Sequence, residues 1–249
     1  MKKIGLGIMV LLVAGMVFAD DKDKVGKVII ATDTTFAPFE FQDPQQKYVG
    51  IDIDLLAAIA ADQKFTYTLK PLGFNAAVAA LESGQADGVI AGMSITNERK
   101  QKYNFSAPYY DSGVVMAIKN DNNTIKSYAD LKGKKVAVKT GTEGATFAES
   151  IQAQYNFALV YFDESPFMYE DVKIGNSAAC FEDYPVMGYG IAQGNGLKIV
   201  TGMEKGSSYG FAVVKGKNAA LLAAFDRGLA NLKASGAYQK IIDKYISTK

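Results

Sequence analysis

Apolar and polar positions along this chain follow two alternating rhythms. Short runs rich in β-branched and aromatic residues recur every few tens of residues, and stretches with apolar residues at helical spacing lie between them. "KVIIAT" (27–32), "FTYTLKPL" (65–72) and "ADGVIAG" (86–92) read as strands. Between them, "DIDLLAAIAADQ" (52–63) and "NAAVAALESG" (75–84) read as helices, the second with Asn75 as its N-cap and Gly84 at its close. The alternation resumes at "KKVAVKTGTEGATFAES" (134–150), "ALVYF" (158–162), "FMYEDVKIGN" (167–176) and "SAACFEDYPVMGYGI" (177–191). Such a pattern predicts an α/β protein with parallel sheets flanked by helices.

Each series is on the order of a hundred residues, enough for a lobe of its own. "PYYDSGVVMAIK" (108–119) lies between them as one extended segment. A second extended segment, "SSYGFAVVKG" (207–216), precedes two closing helices, 218–234 and 236–246. Two crossings imply that the chain leaves one lobe, builds the other and returns. The expected architecture is a two-lobed α/β clamshell with a discontinuous first lobe (25–110 and 209–249), a second lobe (111–208), and a cleft that closes by hinging.

The first nineteen residues, "MKKIGLGIMVLLVAGMVFA", add a basic start, an apolar run of about fifteen residues and small residues near their end. They read as a secretory signal peptide (1–19) cleaved before Asp20, the alternative being a membrane anchor. Setting aside Lys2 and Lys3 from the 27 basic residues leaves 25 against 26 acidic ones. That balance carries no basic footprint for nucleic acid and no polybasic membrane patch. Cys180 is the only cysteine, so no intramolecular disulfide forms, and its neighbours suggest a small buried hydrophobe. The chain has no histidine. This removes Ser–His and Cys–His nucleophilic schemes and imidazole-rich zinc sites, leaving carboxylate-only acid–base chemistry. No cofactor or metal is expected.

Candidate chemistry gathers where an open α/β sheet places ligands, outside the carboxyl ends of its strands. Asp33, Gly92 and Lys139 each follow a predicted strand. In "AGMSITNERK" (91–100), Ser94 and Thr96 offer hydroxyls, and Thr96 can cap the helix whose first turn holds Arg99. A guanidinium beside helix amides suits a carboxylate, whereas a cation there without an anion is mildly unfavourable. "VKTGTEGA" (138–145) places Gly141 and Thr142 at a second strand–helix junction, without the Walker pattern of a phosphate loop. "CFEDYP" (180–185) sets Glu182 and Asp183 at a strand end, where Asp183 either receives an ammonium or caps the next helix. "ATDTTFAPFEF" (31–41) crowds Phe36, Phe39 and Phe41 around Pro38, more rings than a surface loop needs.

"ATDTTFAPFEF", "YVGIDIDLLAAIA", "LKPLGFNAAVAALESGQADGVIAGMSITNERK" and "YGFAVVKG" together resemble the polar amino-acid solute-binding proteins of bacterial ABC importers, with a particular likeness to glutamine-binding proteins. The resemblance spans nearly all of the chain after the signal. It implies a periplasmic-binding-protein-like clamshell without enzymatic activity, acting as a monomer that passes a free amino acid to an ABC permease at the cytoplasmic membrane. It also implies roles. Arg99 grips the ligand α-carboxylate with Ser94 and the backbone of Thr142 and Glu143. Gly92 (through its carbonyl) and Asp183 take the α-ammonium, Phe36 and Phe74 sandwich the aliphatic portion, and Asp33 and Lys139 address the side-chain end. Phe39 and Phe41 then seal the core. Two positions depart from the glutamine-binding pattern: Glu182 replaces a histidine and Glu143 a glycine. Glutamine is the expected ligand, because a neutral amide satisfies both Asp33 and Lys139. Arginine or another polar amino acid is the alternative, since Glu182 adds a negative charge. Other classes on the same scaffold are a dehydratase-like enzyme, with Glu182 or Glu143 as general acid, and the sensing module of a receptor or ligand-gated ion channel.

Overall fold

The computed structural model describes residues 25–246; the segment read as a signal peptide lies outside them. From the first described residue the chain forms β1 (Lys27–Thr32), β2 (Thr35–Phe36), β3 (Glu40–Gln42), β4 (Tyr48–Val49), α1 (Ile51–Gln63), β5 (Thr66–Pro71), α2 (Phe74–Glu82), β6 (Gly88–Val89), α3 (Arg99–Lys102) and β7 (Tyr103–Phe105). The first crossing, β8 (Tyr110–Lys119), leads through a short 3-10 turn to β9 (Lys135–Lys139), α4 (Glu143–Tyr155), β10 (Ala158–Phe162), α5 (Ser165–Lys173), β11 (Ala179–Asp183), α6 (Tyr184–Ala192) and β12 (Leu197–Ile199). The return runs through β13 (Glu204–Tyr209) and β14 (Ala212–Val214) into α7 (Ala219–Ser235) and α8 (Ala237–Tyr245).

Two large sheets organise these elements, beside a small antiparallel one of order β2–β3–β4. One has the order β5–β1–β6–β14–β7; the other has the order β10–β9–β11–β8–β12, with β13 also paired to β8. Neither is purely parallel, contrary to the sequence expectation. β1 is parallel to β5 and β6, but β14 is antiparallel to β6 and β7. β9 is parallel to β10 and β11, whereas β8 is antiparallel to β11, β12 and β13. The reversed strands are those that carry the chain between the lobes, so they enter their sheets from the opposite end to the strands built by β–α–β steps.

Each large sheet is covered on both faces. In β8, Val114, Met116 and Ile118 pack with Phe147 and Ala148 of α4, while Val115 and Ala117 pack with Met168 of α5 and Met187 of α6. That two-residue alternation, with both sets buried, is what a central strand requires. Burying each of the valine, isoleucine, methionine and phenylalanine side chains is worth about 1.5–3 kcal/mol. In the first sheet, Ile30 meets Leu55 and Ile59 of α1 and Phe225 of α7, and Ala31 meets Leu81 of α2. Cys180 is fully buried beside Val115 and Met187, and burial pushes its thiol well above the ordinary range. Among the described residues no helix is long and apolar enough to cross a membrane.

Two local readings are corrected. Asn75 does not cap α2: it lies inside the first turn, and Gly73, with φ at 85°, holds the cap position. The segment 207–216 is two strands, because the chain changes sheets between Tyr209 and Ala212. Around that change the crossings lie side by side. Tyr209 pairs with Tyr110, its carbonyl accepts from the Tyr109 N–H (2.9 Å), and it bridges to Ser94 on the first lobe.

Candidate functional site

A small, almost filled cavity lies between the lobes, lined by Asp33, Phe36, Phe74, Ala91, Gly92, Ser94 and Arg99 on one side and Thr142, Glu143 and Asp183 on the other. On the first side Phe36 ends β2, and the other six follow β1 or β6 or begin α2 or α3. The opposite three stand at the N-termini of α4 and α6. Strand ends and helix starts therefore converge, as open α/β sheets dictate.

Arg99 is held by groups from both lobes. Its backbone N–H donates to Thr96 Oγ1 (3.1 Å), so Thr96 does act on the first turn, although regular helix starts only at Arg99. Its Nη1 donates to the Ser94 carbonyl (3.0 Å) and Nη2 reaches across the cleft to the Gly141 carbonyl (3.0 Å). The guanidinium carbon lies 5.3 Å from the Phe74 ring centre, within cation–π range. Burial lowers its pKa, and Glu143 and Asp183 oppose that shift. Facing it, α4 is capped by Thr142, whose hydroxyl donates to the Lys139 carbonyl (2.7 Å) and accepts from the Ala145 N–H (3.3 Å). A cation and a helix N-terminus thus flank one end of the cavity, an arrangement suited to a carboxylate.

Asp183 stands at the cap position of α6 without capping it. Its Oδ2 instead accepts from the Tyr209 hydroxyl (2.6 Å), which also receives a hydrogen bond from Ser112 (3.0 Å). Burial, then Glu182, raises the Asp183 carboxyl to about 7, while Tyr209 and Arg99 pull it back. A buried carboxylate short of a cation is a receptor for an ammonium. Gly92, at φ 50°, completes this end. The Phe36 ring lies so close to its backbone that a Cβ there would overlap it.

At the far end, Lys139 and Asp33 form an ion pair across the cleft, each only 1% exposed. Lys139 also donates to Thr35 Oγ1 (3.2 Å) and lies 5.4 Å from the Phe36 ring centre. Glu182 is fully enclosed but does not line the cavity. Its Oε2 accepts from Ser165 (3.1 Å) and Tyr169 (2.8 Å), and Oε1 from the Asp183 N–H (2.9 Å). Burial raises its pKa, and Lys139 chiefly opposes the shift. Nine of the eleven candidate residues thus wall one cavity, Lys139 touches it through Asp33, and Glu182 is turned into the second lobe. Phe39 is fully buried against Tyr110 and Tyr209, while Phe41 is half-buried between Tyr189 and Tyr245.

Sequence reasoning missed Ala91, the Gly141 carbonyl, Tyr209, and a buried acidic pair, Glu40 and Asp52, beneath Gly92. Asp52 Oδ2 accepts from the Gly92 N–H and from the Tyr109 hydroxyl, both at 2.8 Å. A signal for Glu40 was available: it stands between Phe39 and Phe41 in an aromatic run where no solvent-facing carboxylate is needed.

Known proteins match this chain over most of its length. Residues 28–248 match the family "Bacterial extracellular solute-binding proteins, family 3". ABC transporter arginine-binding protein 1 of Escherichia coli (strain K12) is 32% identical over 98% of this chain and 99% of its own. An ancestral arginine-binding protein, solved bound to arginine and bound to glutamine, is 37% and 38% identical and superimposes with TM-scores of 0.83 and 0.82, covering 90% of this chain and 99% of the other. Substrate binding domain 2 of Lactococcus lactis GlnP, in an open conformation, is 41% identical over 90% of this chain and 96% of the other, yet reaches only 0.60. Higher identity with poorer superposition indicates a difference in lobe arrangement, consistent with the cross-cleft bonds of Arg99 and Lys139. The two-lobed fold, the inter-lobe cavity and the match over most of its length make this chain a member of the bacterial extracellular solute-binding proteins, family 3.

Proposed function

We propose that this protein captures a free polar L-amino acid outside the cytoplasmic membrane, glutamine by preference, and delivers it to an ABC permease. The observation that carries the reading is the opposition of Arg99 and the α4 N-terminus to Asp183 and the Gly92 carbonyl within one small cavity. That charge pattern complements a zwitterion. Arg99, Ser94 and the amides at Thr142 and Glu143 take the α-carboxylate, Asp183 and Gly92 the α-ammonium, and Phe36 and Phe74 the aliphatic portion. The lobe boundaries fall at 110/111 and 208/209, on the paired crossings. The ligand bridges both lobes and so favours the closed state. Export by the N-terminal segment and action in the periplasm, or on the outer face of the membrane, belong to the same reading, which assigns the site no catalytic step.

Glutamine is preferred because Lys139 already balances Asp33. A neutral amide can bond to both, whereas a guanidinium must compete with Lys139 and a second carboxylate with Asp33. Arginine is the second reading, favoured by the E. coli relative and by an ancestral relative solved with either ligand. The hydrogen bonds that occupy Glu182 within its own lobe count against it.

Titration calorimetry with glutamine, glutamate and arginine tests the reading. Glutamine should bind more tightly than either by more than tenfold, about 1.4 kcal/mol. In the same titration Arg99→Ala should cost about 2–5 kcal/mol, the loss expected when a charged partner is removed from a buried pair. A preference for arginine removes the glutamine assignment; undiminished affinity in folded Arg99→Ala removes the site.

A further inference from the structure

Glu40 opens β3 and Asp52 is the second residue of α1; neither has any exposure to solvent. The Phe39 carbonyl accepts from the Asp52 N–H (2.9 Å), which joins the two elements directly. Asp52 Oδ2 takes two donors, Gly92 N–H and Tyr109 Oη–H. Its Oδ1 and both oxygens of Glu40 are buried without a donor among the described residues. The bond from the Asp52 N–H to the Phe39 carbonyl sets the two buried side chains beside each other, and each carboxyl shifts the titration of the other. As two carboxylates they could only accept, leaving three buried orphan oxygens and two adjacent like charges. One proton between them supplies the missing donor and removes one charge.

We infer that Glu40 and Asp52 share a single proton, and that this carboxyl–carboxylate pair is the positioning element tying the Gly92 turn of the cavity wall to the first crossing between the lobes. The proton resides on Glu40. Asp52 has two donors and sits at the N-terminus of α1, where a negative charge is favoured. The other titratable groups facing the pair are Asp33 after β1, Lys139 of β9, Tyr109 before β8 and Tyr238 of α8. Burial, Asp52 and Asp33 raise Glu40 well above its ordinary range, with Lys139 opposing; Asp52 is raised by burial to about 6. The Gly92 N–H is anchored by Asp52 and the Tyr109 ring by the same oxygen. The cavity wall and the crossing therefore move as one body, and the Gly92 carbonyl is held in its direction.

Two measurements on the full chain test this. Infrared spectra of wild type and Glu40→Gln at pH 8, above the range of Asp183, should differ by the loss of one protonated-carboxyl C=O band in the variant. An unchanged spectrum overturns the shared proton. The second arm rests on the amino-acid reading above and uses calorimetry with L-glutamine and L-arginine as probes. The Glu40→Gln amide can still donate to Asp52 and should bind within about threefold of wild type, whereas Glu40→Leu, with no donor, should lose about tenfold or more. Equal losses in the two variants, or none in Glu40→Leu, overturn the positioning role. Should Glu40→Leu fail to fold, the spectrum and affinity of Glu40→Gln decide alone. Failure of wild type to bind either probe would count against the proposed function and leave the spectroscopic result standing.

Discussion

Asp183 meets two opposed demands: it is enclosed by protein, yet suited to hold charge against a cation. Its carboxyl sits at about 7 in the folded protein against an ordinary value of 3.8, raised first by burial and then by Glu182. A folded-state value above the unfolded one means that the protein binds more protons folded than unfolded between these limits. The contribution to stability is full below about pH 4 and is lost as pH rises through about 7. Asp183→Asn removes this dependence. Relative to wild type it should gain stability on the order of a few kcal/mol at pH 8 and little at pH 4, while losing amino-acid affinity. Urea unfolding at the two pH values, without added ligand, checks the sign; a gain larger at pH 4 than at pH 8 would refute it. The role of the side chain was only half legible in "CFEDYP". Helix capping and ligand binding make the same local demand, and the side chain turns from the helix to the Tyr209 hydroxyl, 26 residues away, which leaves no trace in local sequence. Arg99 was easier to read, since a cation in a first helical turn is unexplained without an anion. The partners of Glu182 were not legible, because Ser165 and Tyr169 stand on α5, whose packing against β11 no local pattern reveals.

At the scale of elements, α4 shows how a junction serves both packing and recognition. Thr142 joins the end of β9 to the first turn of the helix through its bonds to Lys139 and Ala145. Thr142→Ala should cost about 0.5–2 kcal/mol of stability. It should also weaken amino-acid binding, because the amides at 142 and 143 lose their fixed direction; Thr142→Ser should restore both. Thermal unfolding and calorimetry on the two variants are the check, and a stable Thr142→Ala protein with intact affinity would show that the cap is dispensable. Long elements such as α1, β8 and α7 were legible because their apolar residues extend over ten or more positions. The three strands of the small sheet, β2, β3 and β4, hold two or three residues each, too few for any period to register. The antiparallel direction of β8 and β14 was equally invisible. Direction is set by which lobe the chain has left, and local hydrophobicity carries no trace of that.

For the molecule as a whole, the discontinuous path makes both crossings hinge elements, and they are bonded to each other along Ser112–Ser207, Asp111–Ser208 and Tyr110–Tyr209. Such a paired connection bends as a unit and permits one dominant motion of one lobe against the other. Small-angle scattering should therefore show a smaller radius of gyration with saturating glutamine than without amino acid. An unchanged radius in a sample whose binding is verified would separate capture from closure. This two-crossing plan was the most legible property of the sequence, because the extended runs interrupt an otherwise regular strand–helix alternation.

The ion pair between Asp33 and Lys139 also bears on release. Both groups are dry when the lobes meet, and each would gain a hydration shell when they part. The Coulomb attraction lost on opening is therefore largely offset by water, as in other buried pairs. The contact then works as an indexing pin more than as a lock. It fixes the single seating in which the lobes can meet, yet adds little resistance when a partner pulls them apart. A carrier that must load and unload in turn gains from such a joint, since cargo rather than the protein's own charges decides how long it stays shut.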